Sequence, residues 1–386
     1  MEKLLKKYCI EDECPGFAEY YEAARRAYAE LGDEIMRFEK YPIFTHMEGD
    51  IRRIRDQLLC DGDNLLYAYF LNAAIRAEDN AAIRALSSPR KADESELYDT
   101  LPLFSLLHEL PGMIAEHKRR GVPEDVTAAT LEMFQNQIGD FILLNGRIGI
   151  SAYVSWMLAF VRCNIIRVGR FNLEIRKYKS AYKVFTDGKD LCAMPEGVSY
   201  HRSGRVLGSA GCEDEDGSFS GELTETETAY TGITVKDGLA VNCAVTLPKS
   251  EWSLALSTGD TVVSVHIPSG GPMSPDIVEA DLRRGAQIIR SCFCDFDFFY
   301  CSSWLLDIDI KRITGKEGNV TAFGDRFMRF PVKSNGGGVY EYVFNKRGTC
   351  PPETLVATNS FSRAIKEHLC AGGFVYGAEG IMRACK

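Results

Sequence analysis

The sequence predicts an α+β protein, with an all-helical N-terminal domain over residues 1–165 and, over residues 166–386, a domain built on a mixed β-sheet with flanking helices. Three observations predict it. Before about residue 165 no stretch alternates in hydropathy with the period of a strand, and long runs rich in Ala, Glu, Arg and Tyr carry no breaker. Beyond it, short alternating segments separated by glycine turns recur at roughly 8- to 12-residue spacing. Residues 261–304 then read as strand, glycine turn, helix, strand, the order of a βαβ crossover whose two strands run parallel. A length of 386 residues independently favours two domains over one.

In chain order, residues 19–38 and 50–77 are helical, and Pro102, Pro111 and Pro123 mark successive helix starts or connections. Val126, Ala129, Leu131, Met133, Phe134 and Ile138 give the helix after Pro123 an apolar face. A bundle of about six to nine helices is expected. Its histidines, His46, His108 and His117, lack a metal-ligand spacing and read as surface or structural residues. From Val168 the chain alternates. Segments 181–185, 197–201, 205–208, 224–233, 239–247 and 252–256 read as an antiparallel meander, interrupted by the acidic loop tip Glu213-Asp214-Glu215-Asp216-Gly217. After the crossover come a short helix over 305–313, two strands over 319–331 and 336–345 paired as a hairpin, and an amphipathic helix over 361–369.

Composition narrows the function. A formal charge of −9 and a pI near 5.4 argue against a nucleic-acid partner. No apolar run reaches ~18 residues, and MEKLLKKYCIEDE lacks a signal-peptide core, so no membrane partner and a cytoplasmic location are expected. The 13 cysteines contain no C-x-x-C pair, and Cys292, Cys294 and Cys301 sit among aromatic residues. Free thiols are expected, with neither a zinc site nor a cysteine nucleophile.

In the crossover, Val263, Val265 and Ile267 alternate with Val262, Ser264 and His266. Pro268 ends the strand, Ser269-Gly270-Gly271-Pro272 turns, and Ser274-Pro275 supplies an N-cap and a first-turn proline. Val278, Leu282, Gly285 and Ile289 form one helical stripe. Phe296, Phe298, Tyr300, Ser302 and Trp304 alternate again. A glycine turn leading into a helix N-terminus offers free N–H groups to the pyrophosphate of a nucleotide or of coenzyme A. A plain strand-ending turn has the same pattern, and Asp276 and Glu279 in the first helical turn oppose an anion.

Gly146-Arg147-Ile148-Gly149, Val168-Gly169-Arg170-Phe171-Asn172-Leu173-Glu174, His266-Ile267-Pro268-x-Gly270-Gly271-Pro272, Ser303-Trp304-Leu305-Leu306-Asp307 and Asn319-Val320-x-x-Phe323-x-x-Arg326-Phe327 together resemble a bacterial acyltransferase-domain family. Its members join a helical N-acyltransferase N-terminal domain to a C-terminal domain like the GCN5-related N-acetyltransferases (GNAT). The resemblance covers roughly the whole chain and implies a GNAT-like sheet, with acyl-CoA or acetyl-CoA as co-substrate, no metal, and a small amine-bearing acceptor. Two features of the wider superfamily are missing: the R/Q-x-x-G-x-G/A pyrophosphate loop, and a tyrosine in the helix after the second crossover strand. An inactive GNAT-like protein that binds a ligand or partner is therefore the alternative.

The candidate catalytic residues are His266, Ser303 and Tyr300. An imidazole, with a pKa near ~6.5 in model compounds, suits a base at neutral pH, although a strand-end histidine also serves as a hydrogen-bonded structural element. Ser303 polarises a carbonyl or steers the base, and Tyr300 protonates a thiolate or fills the core. Ile267, Ser269, Gly270, Gly271 and Ser274 around the turn are the candidate coenzyme contacts, with Arg283 on the helix for a 3′-phosphate. Trp304 and Asp307 read as a strand-end anchor and a helix cap.

Overall fold

The structure is a computed structural model describing every residue except 12, 13, 40, 42, 269, 316, 317, 385 and 386. The chain divides into two compact units, Met1–Arg167 and Val168–Lys386.

The first unit is helical: α1 (Glu2–Lys7), α2 (Phe17–Leu31), α3 (Glu48–Leu59), α4 (Gly62–Arg76), α5 (Asn80–Leu86), α6 (Glu96–Leu107), α7 (Leu110–Arg120), α8 (Glu124–Asn145) and α9 (Val154–Val161). Helices α4 and α6 form its centre. In α4, Tyr67, Ala68, Tyr69, Phe70, Leu71 and Ala74 are buried, and in α6 everything from Thr100 to Leu107 is. Helices apolar on every side have to lie inside, because no face is left for water. They are stitched by polar contacts: Ser105 Oγ donates to the Ala68 carbonyl (2.8 Å), and Asn72 Nδ2 donates to the Ser105 carbonyl (3.0 Å) and to Glu109 Oε1 (2.8 Å).

The second unit contains β1 (Ile165–Val168, crossing the unit boundary), β2 (Phe171–Lys177), β3 (Tyr182–Thr186), β4 (Leu191–Pro195), β5 (Val198–Tyr200), β6 (Phe219–Gly221), β7 (Thr224–Glu225), β8 (Ala229–Lys236), β9 (Leu239–Pro248), β10 (Ser253–Leu256), β11 (Thr261–His266), β12 (Phe298–Ser303), β13 (Met328–Pro331) and β14 (Ala378–Arg383). Helices α10 (Pro275–Cys292), α11 (Ile310–Thr314), α12 (Asn319–Gly324), α13 (Gly338–Phe344) and α14 (Ser360–Cys370) flank them. The principal sheet has the order β1-β2-β11-β12-β14-β13. β11 and β12 are a parallel neighbour pair, joined by α10, while β2 and β14 run antiparallel to them on either side. On one face of β2, Leu173 Cδ1 lies 2.3 Å from where a Cβ on Gly285 of α10 would stand, so the glycine is what lets helix and sheet meet. On the other face Val262, Phe298, Tyr300, Phe330 and Ile381 pack with Tyr178, Tyr182, Val184 and Tyr200.

The βαβ crossover has the predicted order, and the tail differs from expectation. Residues 336–345, read as a strand, contain the helix α13. Val339, Tyr340 and Phe344 bury against Ile310, Ile365 and Leu369, and this packing overrides the strand preference of a Val- and Tyr-rich segment. Residues 319–331 divide into α12 and β13, so the expected hairpin does not form. β13 instead pairs antiparallel with β14, which inserts between β12 and β13. The meander is realised as three small sheets, β10-β3-β4, β5-β6 and β7-β8-β9, and segment 205–208 contributes only an isolated bridge between Tyr200 and Val206. The helix expected over 305–313 is a 3₁₀ turn, Trp304–Leu306, and then α11, because Asp307 takes an extended ψ of 125° between them.

Replacing Asn72 by Ala removes one buried and one part-buried bond and strands the Ser105 carbonyl. Urea unfolding followed by circular dichroism should register a loss of about 1–3 kcal/mol for the helical unit. An unchanged midpoint would show that the stitch carries no stability.

Candidate active site

Strand β11 pairs with β2 along its whole length, to His266 opposite Asn172. With β12 it keeps register only at Val263 with Phe299 and Ser264 with Tyr300. β12 itself continues beside β14 to Ser303 opposite Ala378. The two parallel strands therefore part beyond Ser264 and Tyr300. Facing backbone edges of residues 265–266 and 301–303 lie outside the β11–β12 ladder, at the carboxyl ends of the strands, where open α/β sheets hold ligands.

His266 stands at this opening, partly exposed. Register puts Val262, Ser264 and His266 on the same face as Arg176, Glu174 and Asn172 of β2, and Glu174 is the diagonal neighbour of His266. Its Oε2 lies 2.9 Å from His266 Nε2 and 3.5 Å from Arg176 Nη1. Burial works to raise the Glu174 pKa, but the hydrogen bond and charge of His266, with Arg176 behind, outweigh it and hold the carboxyl below its usual value. The carboxylate is thus kept ionised beside the imidazole. Sequence reasoning missed Glu174, although the alternation of 171–177 put it on a definite face; what the sequence did not state was which strand lies beside β11.

The other catalytic candidates are not all brought together with His266. Tyr300 shares its face but is buried, with its ring edge-on to Tyr178 at 5.7 Å, and burial pushes its phenol far above the ordinary value. Ser303 lies on the opposite face. Its Oγ accepts from the Leu305 N–H at 3.2 Å and caps the 3₁₀ turn, while Ser302 is the serine on the His266 side. Trp304 packs on Phe361, and Asp307 is wholly buried, accepting from Tyr376 N (2.7 Å) and Asp309 N (3.1 Å) and pairing with Arg205 Nη2 (3.2 Å). Ser303, Trp304 and Asp307 are thus each engaged in contacts within the fold. Cys301, between these residues, is fully buried, and burial pushes its thiol up to about 12. Among the described residues, every cysteine is a free thiol and no group of His, Cys, Asp and Glu is arranged to hold a metal.

The turn after β11 runs through Ile267 and Pro268 to Gly270 (φ +72°) and Gly271 (φ +78°), then to Ser274, the N-cap of α10. Ser269 lies outside the described residues. Arg283 is exposed and pairs with Glu279 at 3.0 Å, and Glu279 is also held by Arg326 at 2.5 Å. Hydrogen bonding from Ser274 keeps Asp276 ionised below its usual range. Beneath the turn lies a residue outside the sequence-predicted set. Arg170 is buried, its Nε and Nη1 have no hydrogen-bond partner among the described residues, and a Cβ on Gly271 would stand 3.5 Å from its Cδ and 3.6 Å from its Nε. Burial lowers its pKa, opposed by the charge of Asp281. Asp281 Oδ2 also accepts from the Arg170 backbone N–H at 2.7 Å, and it fills the space where a Cβ on Gly169 would stand.

No curated protein matches the chain significantly. Among solved structures it is similar to an acyltransferase in complex with decanoyl-CoA, at a TM-score of 0.62 and 15% identity over 100% of this chain and 99% of that one. A second similar structure, an acyltransferase with decanoyl-CoA and teicoplanin, has a TM-score of 0.57 and 16% identity over 95% and 99%. At these identities the likeness speaks for the fold. Residues 45–163 match the N-acyltransferase N-terminal domain, and residues 165–382, more than half of the chain, match the GNAT-like C-terminal domain. The chain belongs to the family of acyltransferases that join these two domains.

Proposed function

We propose that this protein transfers an acyl group from acyl-CoA to an amine-bearing acceptor, with His266 as the base and Glu174 as the residue that orients it. The observation that carries this reading is the opening between β11 and β12 with the His266–Glu174 pair at its mouth. Residues that have left the ladder offer backbone N–H and C=O groups to a donor carrying amides of its own, as the pantetheine arm does, and an N–H donor there suits the thioester oxygen. The solved neighbours bound to decanoyl-CoA and octanoyl-CoA support an acyl-CoA donor.

Acyl transfer to an amine requires that a proton leave the ammonium before attack. An ionised Glu174 accepts from the His266 Nε2–H, and the carboxylate stabilises the imidazolium formed when the ring takes that proton. Because one neighbour was solved with teicoplanin, the acceptor class extends beyond small amines to peptide-sized molecules. No described helix is long and apolar enough to cross a membrane. A second reading, a cleft that binds acyl-CoA without transfer, is favoured by the burial of Tyr300 and the absence of a tyrosine from α11.

A thiol-release assay with acyl-CoA and a panel of amines separates the two readings. His266→Gln should lower kcat by about 100-fold or more. Equal turnover in variant and wild type would remove His266 as base.

Glu174 also makes a prediction about acid stability. Its folded pKa lies below its unfolded one, so the unfolded state binds more protons in the window between them. The stabilisation is complete above the ordinary carboxyl range, near ~4.3, and is lost as pH falls through the lower folded value. Glu174→Gln should therefore flatten the pH dependence of stability below about pH 4.3. Coincident wild-type and variant curves would contradict the pairing.

A further inference from the structure

We infer that Glu379 holds the ammonium group of the acceptor, on the same face of the sheet as His266, and so selects acceptors that carry a positive charge. This rests on the acyl-transfer reading for the identity of the ligand, though not for the existence of a cation site.

Strand register places the residues. Ser264 and Tyr300 are partners across β11 and β12, and His266 and Ser302 each lie two residues further on. Ser302 pairs with Glu379 of β14, and Glu379 with Phe330 of β13. Paired residues and residues two apart share a face. His266, Ser302 and Glu379 therefore form one row at the carboxyl ends of the parallel pair, with the opening between the first two. Strands about 4.8 Å apart put His266 and Glu379 roughly 10 Å from each other before the opening adds to it, a span that two long side chains and one amino group bridge.

Glu379 lacks what a carboxylate in such a place needs. Its Oε2 is buried with no hydrogen-bond partner among the described residues, and none of their cations pairs with it. Arg176 and Arg383 of the same face are engaged elsewhere, Arg176 by Glu174 at 3.5 Å and Arg383 by Thr186 Oγ1 at 2.6 Å. The group borders the aromatic cluster of the sheet. Burial first, and then the charge and hydrogen bonding of Glu379, push the Tyr300 phenol upward, and the same charge reaches Tyr178 and Tyr182. Those two hydroxyls are spent on the carbonyls of Tyr182 and Pro331. A carboxylate half removed from water without a counter-charge is costly, and a cation from outside repays more there than in open solvent.

The group can be reached, because Glu379 is partly exposed and Ser302 beside it is exposed. One carboxylate and one hydroxyl are too few ligands for a metal, but they suit an ammonium. Of its three N–H groups, one meets Glu379, one meets Ser302 Oγ, and the third is left for His266 to deprotonate. The sequence did not single out Glu379, since the strand that carries it was not anticipated.

The test measures thiol release by wild type, Glu379→Gln and Glu379→Asp across the amine panel, varying acyl-CoA and amine separately, alongside the melting temperature of each protein with and without the amines. Glu379→Gln should raise KM for the amine by about 10- to 100-fold. KM for acyl-CoA should keep its wild-type value, and the melting temperature should be equal or higher, since an unpaired, partly buried charge is removed. Glu379→Asp should recover part of the loss. An unchanged KM for the amine in Glu379→Gln would overturn the inference, as would a loss shared by both KM values and the melting temperature, the mark of a carboxyl group that only supports the fold. Failure of wild type to release thiol with any amine would sink the acyl-transfer reading instead. The cation site would then stand only if the amines raise the melting temperature of wild type and not of Glu379→Gln, and would fall otherwise.

Discussion

Strand β11 has to satisfy two neighbours with different demands, and it satisfies only one of them to the end. It stays with antiparallel β2 as far as His266 and leaves parallel β12 after Ser264. That departure does two things at once. It frees strand edges at the carboxyl end of a parallel pair, and it leaves the last side chain of β11 at the mouth of the gap, held by Glu174 from the strand that did not let go. The geometry depends on α10 lying close against β2, which Gly285 permits by having no Cβ to strike Leu173.

The same helix ties the chemistry to the turn. Asp281 holds the Gly169–Arg170 corner by a backbone hydrogen bond, so His266, Glu174 and the buried guanidinium all hang on the β2–β11–α10 assembly. Polar groups half or wholly removed from water are costly unless paired. Glu174 and His266 answer that cost within the protein. The Arg170 Nε and Nη1 have no such partner among the described residues.

Much of this was legible in the sequence because periodicity reports local structure. The alternation of Val262, Ser264 and His266 and the stripe through Val278, Leu282, Gly285 and Ile289 specified strand and helix, and the glycines marked the turn. Periodicity does not report which distant strand pairs with which, so Glu174 and Arg170 were invisible as partners. It also named Ser303 where the face of His266 carries Ser302, although counting by two from Tyr300 already separates them. The tail was misread because Val339, Tyr340 and Phe344 prefer strands in isolation and bury better as a helix against α14. β14 was overlooked because Gly380, in contact distance of Phe327, interrupts its short pattern.

Whether the opening beside His266 receives an acyl-CoA is settled by calorimetric titration of the unmodified protein with decanoyl-CoA and acetyl-CoA. Saturable one-to-one binding in the range of about 1 µM to 1 mM is the result predicted for an enzyme's co-substrate. No heat of binding with either compound above that range would contradict the account and leave the separation of β11 from β12 as a feature of the fold alone.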